Sequence, residues 1–470
     1  MSSSQQQWCN YIRCLFRPTK RLDGGWSWTV CIATFFMFIF HNAARGSFGV
    51  LYIGLLQRFT NDTSQGNNTA TNTSDASCDT RDSGGISGTT AAIGSLQTTM
   101  LCVLGPPSAQ LSSRFSVRSV IIIAAIVYSL GIYLTTYASQ VWQAFLTYTF
   151  LAGLGSGFIY TPLSALLAFY FFKYLPIASA LSISGKQVGS AAFTPIARWI
   201  LRDYGLNTLI LSHTILALAI GLIAILVRPP PSPPQTPSVD ATTQEQPQQA
   251  VITYWAILKH RRFMLWCFAL SFHFFAYYLP TYHLIRYAEC SLKIHNSQSG
   301  LLLTYHFISA AIGGIGLGAL ASRIRNRITL QAFTIFLNAL PNFFFPLYKT
   351  YAHVAIYSVV TGILMGTIIL NVIVCRDLLG SNAAMKGYGV YNSIAAISVT
   401  FGPMLAGWLY DIFQSYEIPF VIAGGIDLLA SILMFISASA SAMECKADQE
   451  DPLPSITRPP VGLTWIESTV

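Results

Sequence analysis

The sequence predicts an all-α membrane protein: twelve transmembrane helices in two six-helix bundles. Three observations carry that reading. Of the 470 residues 53% are hydrophobic and only 10% charged, at a mean hydropathy of +0.51, whereas soluble domains devote about 25% of residues to charge. Long apolar segments recur along the whole chain, and a single polar, Pro- and Gln-rich stretch divides them into two equal sets. This composition excludes a disordered chain, a disulfide scaffold and an ordinary soluble enzyme.

A helix needs roughly 20 apolar residues to cross about 30 Å of hydrocarbon, because lipid offers its amides no other partner. By that measure spans lie near 26–56, 86–111, 119–138, 141–170, 176–198 and 206–227, and again near 263–285, 297–321, 328–348, 351–375, 388–409 and 418–440. The first six form an N-terminal bundle over 26–227 and the last six a C-terminal bundle over 263–440. Between them, 228–262 contains PPPSPPQTP and TTQEQPQQ and reads as a flexible linker.

Net charge is +9, but the basic residues are scattered in ones to threes between apolar runs, so they speak of topology and not of nucleic acid. With both termini in the cytosol, 18 of the 27 Lys and Arg fall on the cytosolic side, as the positive-inside rule requires. The tails 1–25 and 441–470 are then cytosolic. The outer loop 57–85 carries three N-glycosylation sequons, at Asn61, Asn67 and Asn72. Its Cys78 and the later outer residue Cys290 are candidates for pairing in an oxidising exterior.

At the mouth of the first span stands Asp23-Gly24-Gly25-Trp26-Ser27-Trp28, with tryptophans at interfacial depth and glycines that permit close backbone approach. Tyr170-Phe171-Phe172-Lys173, then Pro176, Ala178, Gly185 and Gly189, follow between spans 4 and 5. These two stretches closely resemble the two signatures of the monocarboxylate transporter family. The resemblance continues through Leu258 to Phe263, Arg376 to Gly380, and Gly402, Pro403, Leu405, Gly407 and Asp411, and covers nearly all of 20–440. It implies the major facilitator fold, alternating access, and a small organic carboxylate often moved with a proton. Relatives handle lactate-like acids, aromatic amino acids, iodothyronines or creatine-like zwitterions, and fold does not choose among these. Some relatives also travel with a single-span glycoprotein chaperone.

In proton-coupled relatives a lysine on helix 1 and an Asp/Arg pair on helix 8 handle substrate and proton. The resemblance aligns that lysine with Gly46, next to Arg45, and the pair with Ala310 and Gly314; the eighth span has neither Asp nor Arg. A charge at mid-membrane costs from about 2.5 kcal/mol upward, so Arg45 and Lys186 are expected to have a task. Both are candidate anchors for a carboxylate, the guanidinium bidentately and the ammonium in a cavity of low dielectric. The alternatives are a snorkelling Arg45 and a Lys186 satisfied within its own bundle. Asn42, Tyr160, Asn371 and Asn392 are neutral candidates for the same cavity. His306, on the span that lacks the family's acid and base, is the candidate for proton coupling ahead of His41 and His273. Asp427, the one acid deep in a span, reads as structural because the last helix lies peripherally in such folds.

There is no P-loop, HExxH, paired CxxC or nucleophile–base constellation in the sequence, so neither an enzyme nor a cofactor or metal site is expected. The chain ends Glu467-Ser468-Thr469-Val470, a form that adds a strand to a PDZ domain through Ser468 and Val470. Cys9 and Cys14 are candidates for acylation at the inner surface. The functional expectation is a plasma-membrane secondary transporter of small, monocarboxylate-like organic anions. Its rivals are a facilitated carrier of an aromatic amino acid, hormone-like acid or creatine-like zwitterion, and a transport-silent receptor or scaffold.

Overall fold

In the computed structural model the described residues are 23–64, 86–227, 253–294, 296–324, 326–413, 415 and 417–450. They form helices joined by short turns, and no strand occurs among them. Asn67, Asn72, Cys78, Cys9, Cys14, Ser468, Val470 and most of the linker lie outside them, as do the side chains of Asn61 and Cys290.

The first crossing, α1, is two helices in line, Gly25–Gly46 and Phe48–Ser64. The break falls at Ser47, whose hydroxyl reaches the carbonyl of Ala43 at 2.7 Å and Nε2 of His213 at 2.8 Å. A second broken crossing, α2, joins Ile86–Val103 to Gly105–Arg114. Pro106 and Pro107 open its second piece, where a missing N–H costs nothing. The helix α3, Val117–Leu134, is capped by the Ser116 hydroxyl, which accepts from the N–H of Ser119 at 3.2 Å. The crossing α4, Val141–Phe169, passes through a π-helical stretch at Phe145–Ala152 and contains Pro162.

Leu175–Ala224 is one helical run of 50 residues folded at Gly205, whose φ of 82° an L side chain rarely adopts. It supplies α5 (175–204) and α6 (206–224). The sequence separates these two by a loop; the structure needs only one left-handed glycine.

The second half begins with a short helix, Tyr254–Lys259, inside the stretch read as linker. Then come α7 (Arg261–Arg286), α8 (Asn296–Arg323) and α9 (Arg327–Phe343). After them stand α10 (Tyr351–Leu379), α11 (Ser381–Phe413) and α12 (Glu417–Glu450). Asn326 and Thr350 cap α9 and α10 by accepting from Thr329 and His353 N–H groups. Among the described residues seven segments are by themselves long and apolar enough to cross a membrane. The remaining crossings are shorter or more polar and find their cover inside the bundles. Several helices outrun their apolar spans, α12 by about three turns, because hydropathy marks the depth of the lipid and not the end of hydrogen bonding.

Within the N-terminal bundle α1 packs along α5. A Cβ on Gly185 would stand 2.5 Å from the Phe35 carbonyl oxygen, and one on Gly189 would overlap the carbonyl oxygen of Ile39. These signature glycines are therefore contact points between backbones. The two bundles meet along two seams, α5 with α8 and α2 with α11.

The even-numbered helices of each bundle end at one face, marked by Arg114, Lys173, Arg323 and Arg376, which we term the basic face. There the bundles are tied together. Arg376 donates to the Phe171 carbonyl at 2.8 Å, the Tyr254 hydroxyl donates to the Pro106 carbonyl at 2.7 Å, and Gly105 meets Gly389 backbone to backbone.

Candidate site at the centre of the bundles

Phe38, Asn42 and Arg45 recur at helical spacing on α1 and so share one face of it. The Arg45 guanidinium donates to Oδ1 of Asn42 at 3.2 Å and reaches the Thr98 hydroxyl of α2 at 3.5 Å. The Asn42 amide in turn donates to the Phe38 carbonyl at 3.3 Å. Arg45 is half-buried and Asn42 buried.

Lys186, 6% exposed, enters from α5, about three turns above the basic face. Its ammonium donates to the Tyr160 hydroxyl at 3.1 Å and lies 4.2 Å from the centroid of that ring and 4.5 Å from that of Phe38. Two aromatic faces thus take over part of the hydration shell that burial removes. No carboxylate among the described residues pairs with Lys186, and the like charge of Arg45 acts on it. A buried ammonium beside a second cation creates a positive potential at mid-membrane, where a low dielectric lets it act strongly on an anion.

Tyr160 stands at the seam: it packs against Leu101 and Cys102 of α2 and Ala396 and Val399 of α11, and its hydroxyl interacts with that of Tyr388. One residue on, Thr161 accepts from the Asn392 amide of α11 at 3.2 Å. The cation held by the N-terminal bundle is therefore one side chain away from the C-terminal bundle. His41 closes the rear of the cluster, its Nε2 2.8 Å from the Ser156 hydroxyl.

Five of the six residues named from sequence, Arg45, Lys186, Asn42, Tyr160 and Asn392, are brought together in this region. Asn371 stands apart. Its Oδ1 accepts from Gln331 at 2.7 Å and its amide donates to the Tyr391 hydroxyl at 2.8 Å, while Gln331 accepts from the Trp266 indole at 2.9 Å. That chain lies inside the C-terminal bundle with both ends of the Asn371 side chain engaged. His306 is also in that bundle, its ring stacked on Tyr277 at 5.9 Å and its Nδ1 3.3 Å from the Thr361 hydroxyl. Phe38, Thr98 and Tyr388 escaped sequence reasoning. For Phe38 the signal was present, four residues before Asn42; for Tyr388 nothing in the sequence marks the seam.

The Major Facilitator Superfamily model matches residues 30–289 and 289–467. The chain belongs to this family. Its relatives within the superfamily are monocarboxylate transporters. Monocarboxylate transporter 14 of Homo sapiens is 24% identical over 91% of this chain and 93% of its own length, and Monocarboxylate transporter 2 of Mus musculus is 25% identical over 88% and 84%. In fold the chain is similar to the human organic anion transporter MFSD10 (TETRAN), with a TM-score of 0.65 at 15% identity over 87% of this chain and 99% of that one. It is similar also to a variant of the E. coli fucose:proton symporter FucP, with a TM-score of 0.61 at 15% identity over 87% and 97%. The protein is a multi-pass membrane transporter.

Proposed function

We propose that the protein is a plasma-membrane secondary transporter that moves small, monocarboxylate-like organic anions by alternating access, with the basic face and both termini in the cytosol. One observation carries this reading: Lys186 is buried at mid-membrane with an aromatic cage and, among the described residues, no carboxylate partner, beside Arg45. A substrate carboxylate supplies the missing counter-charge. Lys186 is its anchor and Arg45 its second cation. Asn42, Tyr160 and Asn392 position the remainder of the solute, and the rings of Phe38 and Tyr160 cover its apolar part. Because Tyr160 and Asn392 belong to opposite bundles, one bound solute touches both, which is what rocking about a central site requires. His306, buried at 6% exposure, is the proposed proton-handling residue.

The deciding experiment is uptake of labelled lactate, pyruvate, phenylalanine and creatine into proteoliposomes, with and without a pH step, by wild type and Lys186→Gln. Uptake of a monocarboxylate that Lys186→Gln abolishes supports the reading. Uptake of creatine or phenylalanine alone reassigns the cargo, and uptake of none favours a receptor or scaffold. We further propose glycosylation at Asn61, Asn67 and Asn72 and PDZ recognition through Ser468 and Val470. Glycosidase should increase electrophoretic mobility, and deleting Val470 should abolish capture by a PDZ scaffold. Co-purification with a single-span glycoprotein chaperone is the corresponding test of that partner.

A further inference from the structure

A second buried polar cluster lies wholly within the C-terminal bundle, on helices that contribute nothing to the paired cations. Asp427 of α12 is 0% exposed and His273 of α7 is 1% exposed. Nδ1 of His273 stands 2.8 Å from Oδ1 of Asp427. The other carboxylate oxygen accepts from the amides of Asn338 at 2.8 Å and Asn342 at 3.4 Å, both on α9. Asn342 in turn accepts from the Tyr357 hydroxyl of α10 at 2.6 Å. Asn338, Asn342 and Tyr357 also wall a cavity of about 20 Å³, which Tyr277, Thr361 and His306 line as well. That volume admits a single water molecule. Among the described residues Nε2 of His273 and Nε2 of His306 find no hydrogen-bond partner.

Every group around the Asp427 carboxylate is a donor, so the site is built for the ionised form. A lone carboxylate in a bundle surrounded by lipid is expensive, and its removal from water is compensated only by an opposite charge at close range. The titratable group joined to this network is Tyr357 on α10, through Asn342, with Tyr348 beside it; Tyr277 and His306 line the neighbouring cavity, and α9 presents neutral amides. Among the described residues no Lys or Arg forms an ion pair with Asp427, and Lys349 is taken up by Glu417 at the start of α12. Neutrality therefore depends on one added proton on the His273 imidazole, the side chain that titrates nearest to physiological pH.

We propose that the His273–Asp427 pair is a proton-binding site of the C-terminal bundle, joined through Asn338 and Asn342 to the cavity beside His306 and separate from the Lys186–Arg45 centre. A hydronium ion gives its proton to the free imidazole nitrogen and leaves as water. One N–H bond forms, and the pair passes from one net negative charge to none. The site couples three elements, since α7, α9 and α12 each supply one side of it. Its consequence for transport rests on the carrier reading above; proton binding itself does not.

The test uses the purified full-length chain in lipid nanodiscs, with infrared difference spectra taken from about pH 5 to about pH 8. Wild type is expected to show a carboxylate change, lost in His273→Gln and Asp427→Asn. No carboxylate change in wild type, or one that survives both pair variants, overturns the proposal. Should Asp427→Asn fail to fold, ring-labelled histidine NMR of wild type and His273→Gln supplies the same reading. A titrating resonance that disappears in His273→Gln is expected, and a His273 resonance constant across the range refutes the site. Uptake of labelled lactate is measured in parallel. Titration without uptake of any solute leaves this site standing and removes the carrier reading, whereas uptake without titration removes this site alone.

Discussion

Asp23 and Arg376 grip one short loop from opposite bundles. The Asp23 carboxylate accepts from the N–H groups of Phe172, Lys173 and Tyr174 at 3.2–3.3 Å, and the Arg376 guanidinium donates to the Phe171 carbonyl at 2.8 Å. Asp23 can do so because it adopts φ 56° just before α1, and its own N–H bonds the Tyr170 carbonyl at 3.0 Å. The two family signatures are thus one structure. The first holds the second in place, and the second offers its carbonyl to the other bundle as a latch on the basic face.

Breaking the latch should open that face. A hydrogen bond from a charged donor contributes about 1.5–3 kcal/mol, so Arg376→Ala should shift the balance between closed and open basic faces by a factor of about 10 or more. A cysteine placed at Ser164, a buried residue near the end of α4, should then react faster with an impermeant thiol reagent applied from the side of the basic face. An unchanged labelling rate would show that the Tyr254 and Gly105 contacts suffice to keep this face shut.

The Lys186 cage separates binding from stability. Tyr160→Phe keeps both ring faces over the ammonium and removes its hydroxyl acceptor, so a loss of about 1–3 kcal/mol in stability is expected, visible as a lower unfolding temperature, with substantial uptake retained. Lys186→Gln removes the charge that is costly to bury and should unfold at no lower temperature than wild type, yet should lose monocarboxylate uptake at normal surface expression. The opposite pattern, with Lys186→Gln active and unstable, would assign the lysine to the scaffold.

What could be read from the sequence follows from the lipid. Every crossing must satisfy its own backbone and present an apolar surface, so the twelve spans and the two cations inside them stand out without any knowledge of packing. The partners of those residues do not stand out. Whether Asn371 faces a cavity or a neighbour depends on the rotation of α10 against α9 and α11, which short-range pattern does not encode. Asp427 and His273 are 154 residues apart, so an acid in a peripheral helix reads as structural until α7 is seen beside it. Ser47 likewise looks like an ordinary small residue of a transmembrane helix, and only its bond to His213 explains why α1 breaks there.

The backbone contact between Gly105 and Gly389 makes a sharper test of the closed basic face than any side chain. A Cβ on Gly389 would stand 2.7 Å from the carbonyl oxygen of Gly105, and a Cβ on Gly105 would overlap the carbonyl oxygen of Gly389. Neither obstacle is a flexible side chain, so α2 and α11 must separate to admit a methyl group. Gly105→Ala and Gly389→Ala should each raise labelling at position 164 from the basic face and slow uptake. Gly316→Ala, where nothing lies within 4 Å, is the control and should raise helix stability by up to about 1 kcal/mol with uptake unchanged.

Asn371 offers the last discrimination, between a solute contact and a bundle strut. Both ends of its amide are committed inside the C-terminal bundle, to Gln331 and to Tyr391, and Gln331 also takes the Trp266 indole. Replacing it by Ala leaves the Gln331 amide and the Tyr391 hydroxyl buried without their partner, at about 1–3 kcal/mol for each group abandoned. Asn371→Ala should therefore lower the unfolding temperature, and the protein that remains folded should transport with an unchanged KM. A raised KM in Asn371→Ala with no loss of thermal stability would instead place this side chain against the solute in another state of the transport cycle.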